Sequence, residues 1–268
     1  MSESGTYLWS GGNAYERYMG RWSRRIAPLF LDQLNAPSDA DWADVGCGTG
    51  VLSAAIIDQC APRRVAGIDP SEAFIEAARS LIDDRRFQCQ QGNGEALPYD
   101  DDEFTVAVSG LVLNFVGDKD KAVAEMSRVV RPGGIVGLYV WDYAGHMQIM
   151  RYFFDAAIEL DDGARKFDDG INAPICRPGP LSRLFEEAHL TDIEVEKLDI
   201  PAAFENFEDY WTPFLGGTGS APKYCTSLSP EEQTRLREKL RNRLPTGPDG
   251  EILLAVRAWS IKGIVTKQ

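Results

Sequence analysis

Only two histidines, His146 and His189, occur in the 268 residues, and the five cysteines (Cys47, Cys60, Cys89, Cys176, Cys225) share no Cys-x-x-Cys spacing. With so few imidazoles and no paired thiols, no zinc site is expected. An odd cysteine count without a pairing pattern suits free thiols in a reducing, cytoplasmic compartment. No apolar run approaches the ~20 residues of a bilayer-spanning helix. The first residues lack the basic stretch and apolar core of a secretory signal. Positive charge is in deficit, with 28 Lys and Arg against 41 Asp and Glu, a net charge of −13. Nucleic-acid binders usually carry a basic face, so neither DNA nor RNA is the expected substrate, and the acidity is read as serving solubility. Repeats and low-complexity tracts are missing too. The apolar and charged fractions, 44% and 26%, are those of a globular chain. The length suits one α/β domain with an added lid, or one and a half domains of ordinary size.

What is present is organised around Asp44-Val45-Gly46-Cys47-Gly48-Thr49-Gly50. The stretch follows a short apolar run and precedes a helical pattern from Val51 to Cys60, which reads as strand, tight glycine turn and helix N-terminus. Glycine lets the backbone approach a ligand closely, and a helix start offers unpaired N–H groups. A dinucleotide turn wants a third glycine where this chain has Val51. The carboxylate of Asp44 would repel a pyrophosphate and could hold an ammonium group.

The pattern continues as alternating strands and helices. Arg64 to Asp69 reads as a second buried strand, ending in an acid about twenty residues after the turn, where a carboxylate can accept from ribose hydroxyls. Ser71 is placed to cap a helix whose Phe74, Ala77, Ala78, Leu81 and Ile82 face inward. Arg86 to Gln90 reads as the third strand, leading to Gly92-Asn93-Gly94-Glu95-Ala96-Leu97-Pro98-Tyr99. Phe104 to Val108 reads as the fourth, continuing through Ser109 and Leu111. Asp118 caps a helix that Arg131-Pro132-Gly133-Gly134 stops, and Ile135 to Trp141 reads as the fifth strand. Five β/α units between Asp41 and Trp141 predict a doubly wound, largely parallel sheet.

Taken together, the glycine turn, Asp69 and the Gly-Asn-Gly-Glu-Ala-Leu-Pro-Tyr segment resemble the class I S-adenosylmethionine-dependent methyltransferases, of the small-molecule, ubiquinone/menaquinone-biosynthesis type. The resemblance is strong over Asp41–Asp142 and loose elsewhere. It implies a seven-stranded Rossmann-like sheet with an inserted helical lid, and S-adenosyl-L-methionine as cofactor. It implies donor contacts from Asp44, Gly46, Cys47, Gly48, Asp69, Pro70, Asn93, Gly94, Glu95, Ser109 and Leu111, with Tyr15 and Arg21 added from the N-terminal arm. In this family an Asp stands where this chain has Asn93, so the adenine amine meets an amide oxygen without charge. The Asn/Asp-Pro-Pro-Tyr/Phe run of nucleic-acid and amide methylases is missing after the fourth strand.

The remaining segments are expected to serve the acceptor. Residues 1–40 read as an aromatic arm running into a helix. Residues 41–142 and 181–268 read as the core, with 143–180 as a substrate lid, since ligands of open α/β sheets lie beyond the carboxyl ends of the strands. A helix from Leu181, a strand around Ile193–Ile200, a linker at Gly216–Ser220, a helix capped by Ser229 and a last strand, Ile252–Trp259, follow. Tyr18, Trp141, Tyr143, Phe153, Tyr210 and Trp211 are the expected acceptor contacts, for a small molecule that is fairly apolar or bears a ring. His146, in the loop after the fifth strand, is the expected general base if the acceptor must lose a proton. A nicotinamide-dependent oxidoreductase and a non-catalytic S-adenosylmethionine-binding protein are the competing readings.

Overall fold

The computed structural model describes residues 19–216 and 219–266. The expectations placed on Tyr15, Tyr18 and the rest of the arm before Met19 lie outside the described residues. In chain order the elements are α1 (Arg21–Leu34), β1 (Asp41–Val45), α2 (Val51–Gln59), β2 (Arg64–Asp69), α3 (Glu72–Leu81), β3 (Phe87–Gln91), β4 (Phe104–Gly110), α4 (Lys119–Val129) and β5 (Val130–Trp141). Then come α5 (Gln148–Leu160), α6 (Asp169–Asn172), α7 (Pro178–Glu187), β6 (Leu190–Phe204), α8 (Phe207–Trp211), α9 (Ser220–Ser227), α10 (Pro230–Arg243) and β7 (Ile252–Val265). The strands form one seven-stranded sheet in the order β3-β2-β1-β4-β5-β7-β6. Its first five strands pair in parallel, so the sheet is mostly parallel, as the β/α alternation predicts. The chain divides into two compact units: one holds residues up to 22 with 141–176 and 199–258, the other 23–140, 177–198 and 259–268.

The second unit contains the glycine turn. Strand β1 is buried along its whole length, because β2 and β4 flank it on either edge. Register is set by Val45↔Ile68 on one side and Asp44↔Val108 on the other. The strands being parallel, their carboxyl ends share one edge, and the order reverses direction at β1, where ligand crevices of such sheets open. At the other end of β1, buried Asp41 is neutralised by Arg63 and Arg64. Ile26, Phe30 and Leu34 of α1 pack inward, with the Phe30 ring 4.7 Å from that of Tyr139.

Three local expectations are corrected. Helix α3 buries Ile75 and Ala78, while Leu81 is 71% exposed. The helix stops at Leu81, and Ile82 continues as extended chain whose Cδ1 lies against Gly50. The segment Arg131–Gly134 does stop α4, but it lies within β5, which starts at Val130. Phe104 pairs with Val130 and Val106 with Ile135, so these four residues form a bulge. Gly134 is needed there because a Cβ would come within 2.5 Å of the Thr105 carbonyl. Strands β6 and β7 are longer than their apolar runs. The polar residues that extend β7 find partners, Ser260 donating to Gln33 and Lys262 pairing with Glu194 at 3.1 Å.

The first unit is built on aromatic packing. Phe153 of α5 stacks on Phe214 at 4.5 Å, and the Tyr210 hydroxyl donates to the Ile149 carbonyl at 2.9 Å. Arg151 donates to Asp168 at 2.6 Å. Helix α9 begins at Ser220, within the stretch expected to be a linker.

Candidate functional site

The turn after β1 is held open by backbone geometry. Gly46, Gly48 and Gly50 all have positive φ (77°, 53° and 89°), which side chains adopt only under strain. The N–H groups of Gly46 and Cys47 both donate to the Ile68 carbonyl, at 2.7 and 3.0 Å. Cys47 turns its thiol inward over Gly67, and burial pushes that thiol far above its ordinary range. Helix α2 then starts at Val51, and its third residue, Ser53, reaches back to donate to Asp44 Oδ2 at 2.6 Å.

Asp44 is the electrostatic centre of this region. It has no exposed surface. Burial raises its pKa from 3.8 to about 7, against the bonds from Ser53, and the nearby Asp69 charge adds to the rise. Its Oδ1 is buried with no hydrogen-bond partner among the described residues. A buried acceptor left unpaired is destabilising by ~1–3 kcal/mol, so this oxygen is suited to a donor that the folded chain does not itself supply.

Asp69 ends β2 beside the turn. Its Oδ2 accepts from the Gly48 N–H at 3.0 Å and its Oδ1 from the Ser71 N–H at 2.9 Å. Burial raises its pKa, and these two backbone bonds oppose the rise. Each oxygen keeps a second lone pair for a hydroxyl. Pro70 is exposed, and its carbonyl accepts from Gln91 Nε2.

Beyond β3, exposed Asn93 turns its Oδ1 to the Glu95 N–H at 2.9 Å. Gly94 passes close to Val45. Glu95 turns elsewhere: its Oε1 accepts from Gly117 and Asp118 N–H groups, both at 3.1 Å. Ser109 Oγ donates to the Val45 carbonyl at 2.7 Å and ties β4 to the residue before Gly46. Leu111 is buried with φ of 63°, its N–H held by the Tyr139 carbonyl. Asp44, Gly46, Cys47, Gly48, Asp69, Ser109 and Leu111 thus gather around one strand edge. Ser53 and Val112, whose methyls cover Gly46, belong with them. A small polar residue at the third position of α2 was the sequence signal for Ser53; Val112 had none.

The other expected site residues fall in the first unit. Arg21 lies between the rings of Trp22 and Phe204, at 4.3 and 4.6 Å, and pairs with Asp209 at 3.1 Å. Trp141, Tyr143, Phe153, Tyr210 and Trp211 are all buried; the last three take part in the aromatic packing of that unit. The His146 side chain is 54% exposed. Its backbone N–H donates to Asp142 Oδ2 at 2.9 Å, and its Nδ1 lies 3.2 Å from an Arg257 guanidinium nitrogen. The same Nδ1 lies 3.6 Å from Asp142 Oδ2, so it faces both a guanidinium and a carboxylate. Arg257 is itself held at both ends of its fork by Asp199, at 2.7 and 2.9 Å. Among the described residues no group of three or more His, Cys, Asp or Glu could hold a metal ion.

The strand order, the glycine turn and the two carboxylates beside it define a class of domain, and comparison with known proteins agrees. Residues 43–138 match the methyltransferase domain family. Over that stretch the chain resembles the class I S-adenosylmethionine-dependent methyltransferases, those of menaquinone methylation among them. It is 34% identical over 114 residues to the demethylmenaquinone methyltransferase of Lactobacillus johnsonii, covering 41% of this chain and 47% of that protein. It is 28% identical over 180 residues to that of Halalkalibacterium halodurans, covering 62% and 74%. The chain spans less than half the length of several curated relatives, 36% and 37% for two of them. Among solved structures, the YcgJ protein of Bacillus subtilis superposes with a TM-score of 0.61 at 19% identity, over 91% of this chain and 99% of that one. At that identity the likeness speaks for the fold.

Proposed function

We propose that the protein transfers the methyl group of S-adenosyl-L-methionine to a small-molecule acceptor. The observation that carries the reading is the unpartnered, buried Oδ1 of Asp44 beside a turn whose glycines have positive φ. A carboxylate there suits the ammonium of an amino-acid tail and opposes a pyrophosphate, which separates this reading from a dinucleotide-dependent oxidoreductase. Asp69 would hold the ribose, and Asn93 and Gly94 would lie by the base. When bound, the cofactor supplies a methyl group on a sulfonium, already a good leaving group. The chain's task is then to orient and to exclude water; orientation alone is worth effective molarities of ~10⁵–10⁸ M.

A small acceptor is supported by the names of some of the relatives, which are demethylmenaquinone methyltransferases, and by the net charge of −13, which disfavours nucleic acid. Among the described residues no helix is long and apolar enough to cross a membrane. We assign acceptor selection to segment 143–180 and the aromatic residues Trp141, Tyr143, Phe153, Tyr210 and Trp211. In this assignment His146, exposed in the loop after β5, would take the proton from an acceptor that must lose one.

Calorimetric titration tests the donor half: S-adenosylhomocysteine should bind and NAD(H) should not. A tritiated-methyl incubation with metabolite extracts, followed by mass identification of the labelled product, tests the acceptor half. Label found only in nucleic acid or protein would overturn it.

A further inference from the structure

Glu95 turns its carboxylate to the backbone of Gly117 and Asp118. Three segments of the second unit interlock around the glycine turn. Val112 lies on Gly46 so closely that a Cβ there would meet its methyl carbons at 2.6 and 2.7 Å. Gly94 lies on Val45, where a Cβ would meet Cγ1 at 3.0 Å. Val112 belongs to the loop between β4 and α4, which turns through Leu111 at positive φ and a short 3-10 turn, Leu113–Phe115. Within the loop the Phe115 and Val116 N–H groups donate to the Val112 and Leu113 carbonyls, which leaves those of Gly117 and Asp118 to be met from another segment.

The anchor is the Glu95 carboxylate. Its Oε1 takes the N–H groups of Gly117 and Asp118, the last residues before α4, whose first turn is capped by Asp118 accepting from Lys121 at 3.0 Å. A carboxylate is well placed near a helix N-terminus, and bonds to an ionised acceptor are the stronger kind. The loop bearing Glu95 is itself fixed to α4: Leu97 N–H donates to Glu125 at 2.8 Å, and Arg128 donates to the carbonyls of Leu97 and Tyr99. Asn93 closes the near end by accepting the Glu95 N–H. Glu95 therefore joins the start of α4 to a loop that the middle and end of α4 also hold.

We propose that Glu95 is a positioning residue. By holding Gly117 and Asp118 it fixes the Leu111–Asp118 loop, keeps Val112 against Gly46, and so sets the shape in which the glycine turn receives the donor. The proposal rests on the donor reading above only in its last step; the holding of the loop stands without it.

The experiment has two arms. In the ligand-free chain, hydrogen exchange is measured at the Gly117 and Asp118 amides in the wild type, Glu95→Gln and Glu95→Ala. Protection should fall ~10-fold or more in Glu95→Ala and largely survive in Glu95→Gln, which keeps an acceptor oxygen. Unchanged exchange in Glu95→Ala overturns the proposal. In the second arm S-adenosylhomocysteine affinity is measured for Glu95→Ala, Val112→Ala and the double variant. Glu95→Ala should weaken binding ~10-fold, and the double variant should lose much less than the sum of the two, since coupled residues are non-additive. Strict additivity, or weaker binding with no change in exchange, makes Glu95 a direct contact and overturns the proposal. A wild type that fails to bind S-adenosylhomocysteine sinks the donor reading and leaves the first arm to decide on Glu95. Thermal melting of each variant shows whether the fold is intact.

Discussion

Asp44 is stable as a buried group only in its neutral form or with a cation beside it. Its pKa is raised from 3.8 to about 7, so in the window between those values the folded chain keeps a proton that the unfolded chain has released. Stability contributed by this group is therefore full below 3.8 and is lost as pH rises toward about 7. Asp44→Asn should match the wild type in acid and gain on it across that window, with a difference on the order of 4 kcal/mol at its upper end. Melting temperatures at several pH values check this. The same titration works in the opposite direction on a positively charged ligand. S-adenosylhomocysteine affinity should rise with pH through about 7 in the wild type and stay flat in Asp44→Asn. Asp69→Ala should weaken the same ligand by ~10–100-fold, since one buried hydrogen-bonding group is worth ~1.5–3 kcal/mol when charged. Wild-type affinity in that variant would remove Asp69 from the ribose site. These carboxylates were legible in the sequence by their spacing from the glycines. The hydrogen bonds of Glu95 were not legible in the sequence, because its partners, Gly117 and Asp118, are over twenty residues away.

At the scale of elements, the turn after β1 should tolerate nothing at Gly46. Its φ of 77° and the Val112 methyls at 2.6 Å combine conformational strain with a collision. Gly46→Ala should destabilise by ~1–3 kcal/mol and abolish S-adenosylhomocysteine binding; a soluble variant with unchanged affinity would show that the turn does not receive the ligand. Helix α10 offers the matching control. Ser229 and Glu232 form a reciprocal capping box. Ser229→Ala should lower stability by ~1 kcal/mol with no change in ligand affinity. The periodic apolar pattern located most helices to within a few residues. It misplaced the inward face of α3, because the helix ends at Leu81 and packing, not periodicity, chooses which residues are covered. It also shortened β6 and β7, whose polar positions are admitted by partners from distant segments, such as Gln33 for Ser260 and Lys262.

For the whole molecule, a ligand bound to the folded state adds stability by mass action. Saturation with S-adenosylhomocysteine at a hundredfold excess over its dissociation constant should add about 2.7 kcal/mol, read as a rise in melting temperature. NAD(H) should add nothing. New hydrogen-exchange protection should concentrate in the unit of residues 23–140, 177–198 and 259–268, which holds the glycine turn. Protection confined to the other unit would contradict the placement of the donor.

The amino-acid order by itself determined the alternation of strands and helices, and with it the parallel sheet, since apolar runs punctuated by glycine and proline leave few other ways to bury them. It determined the glycine turn and the acids beside it, because their spacing is a property of the chain. Tertiary structure alone decided which atoms of those residues are spoken for. Asp44 keeps an unpaired oxygen, Asp69 spends one lone pair of each oxygen on the backbone, Glu95 is turned to another loop, and His146 faces Arg257. Hydrogen-bond partners are chosen by proximity in space, and segments remote in the chain supply them.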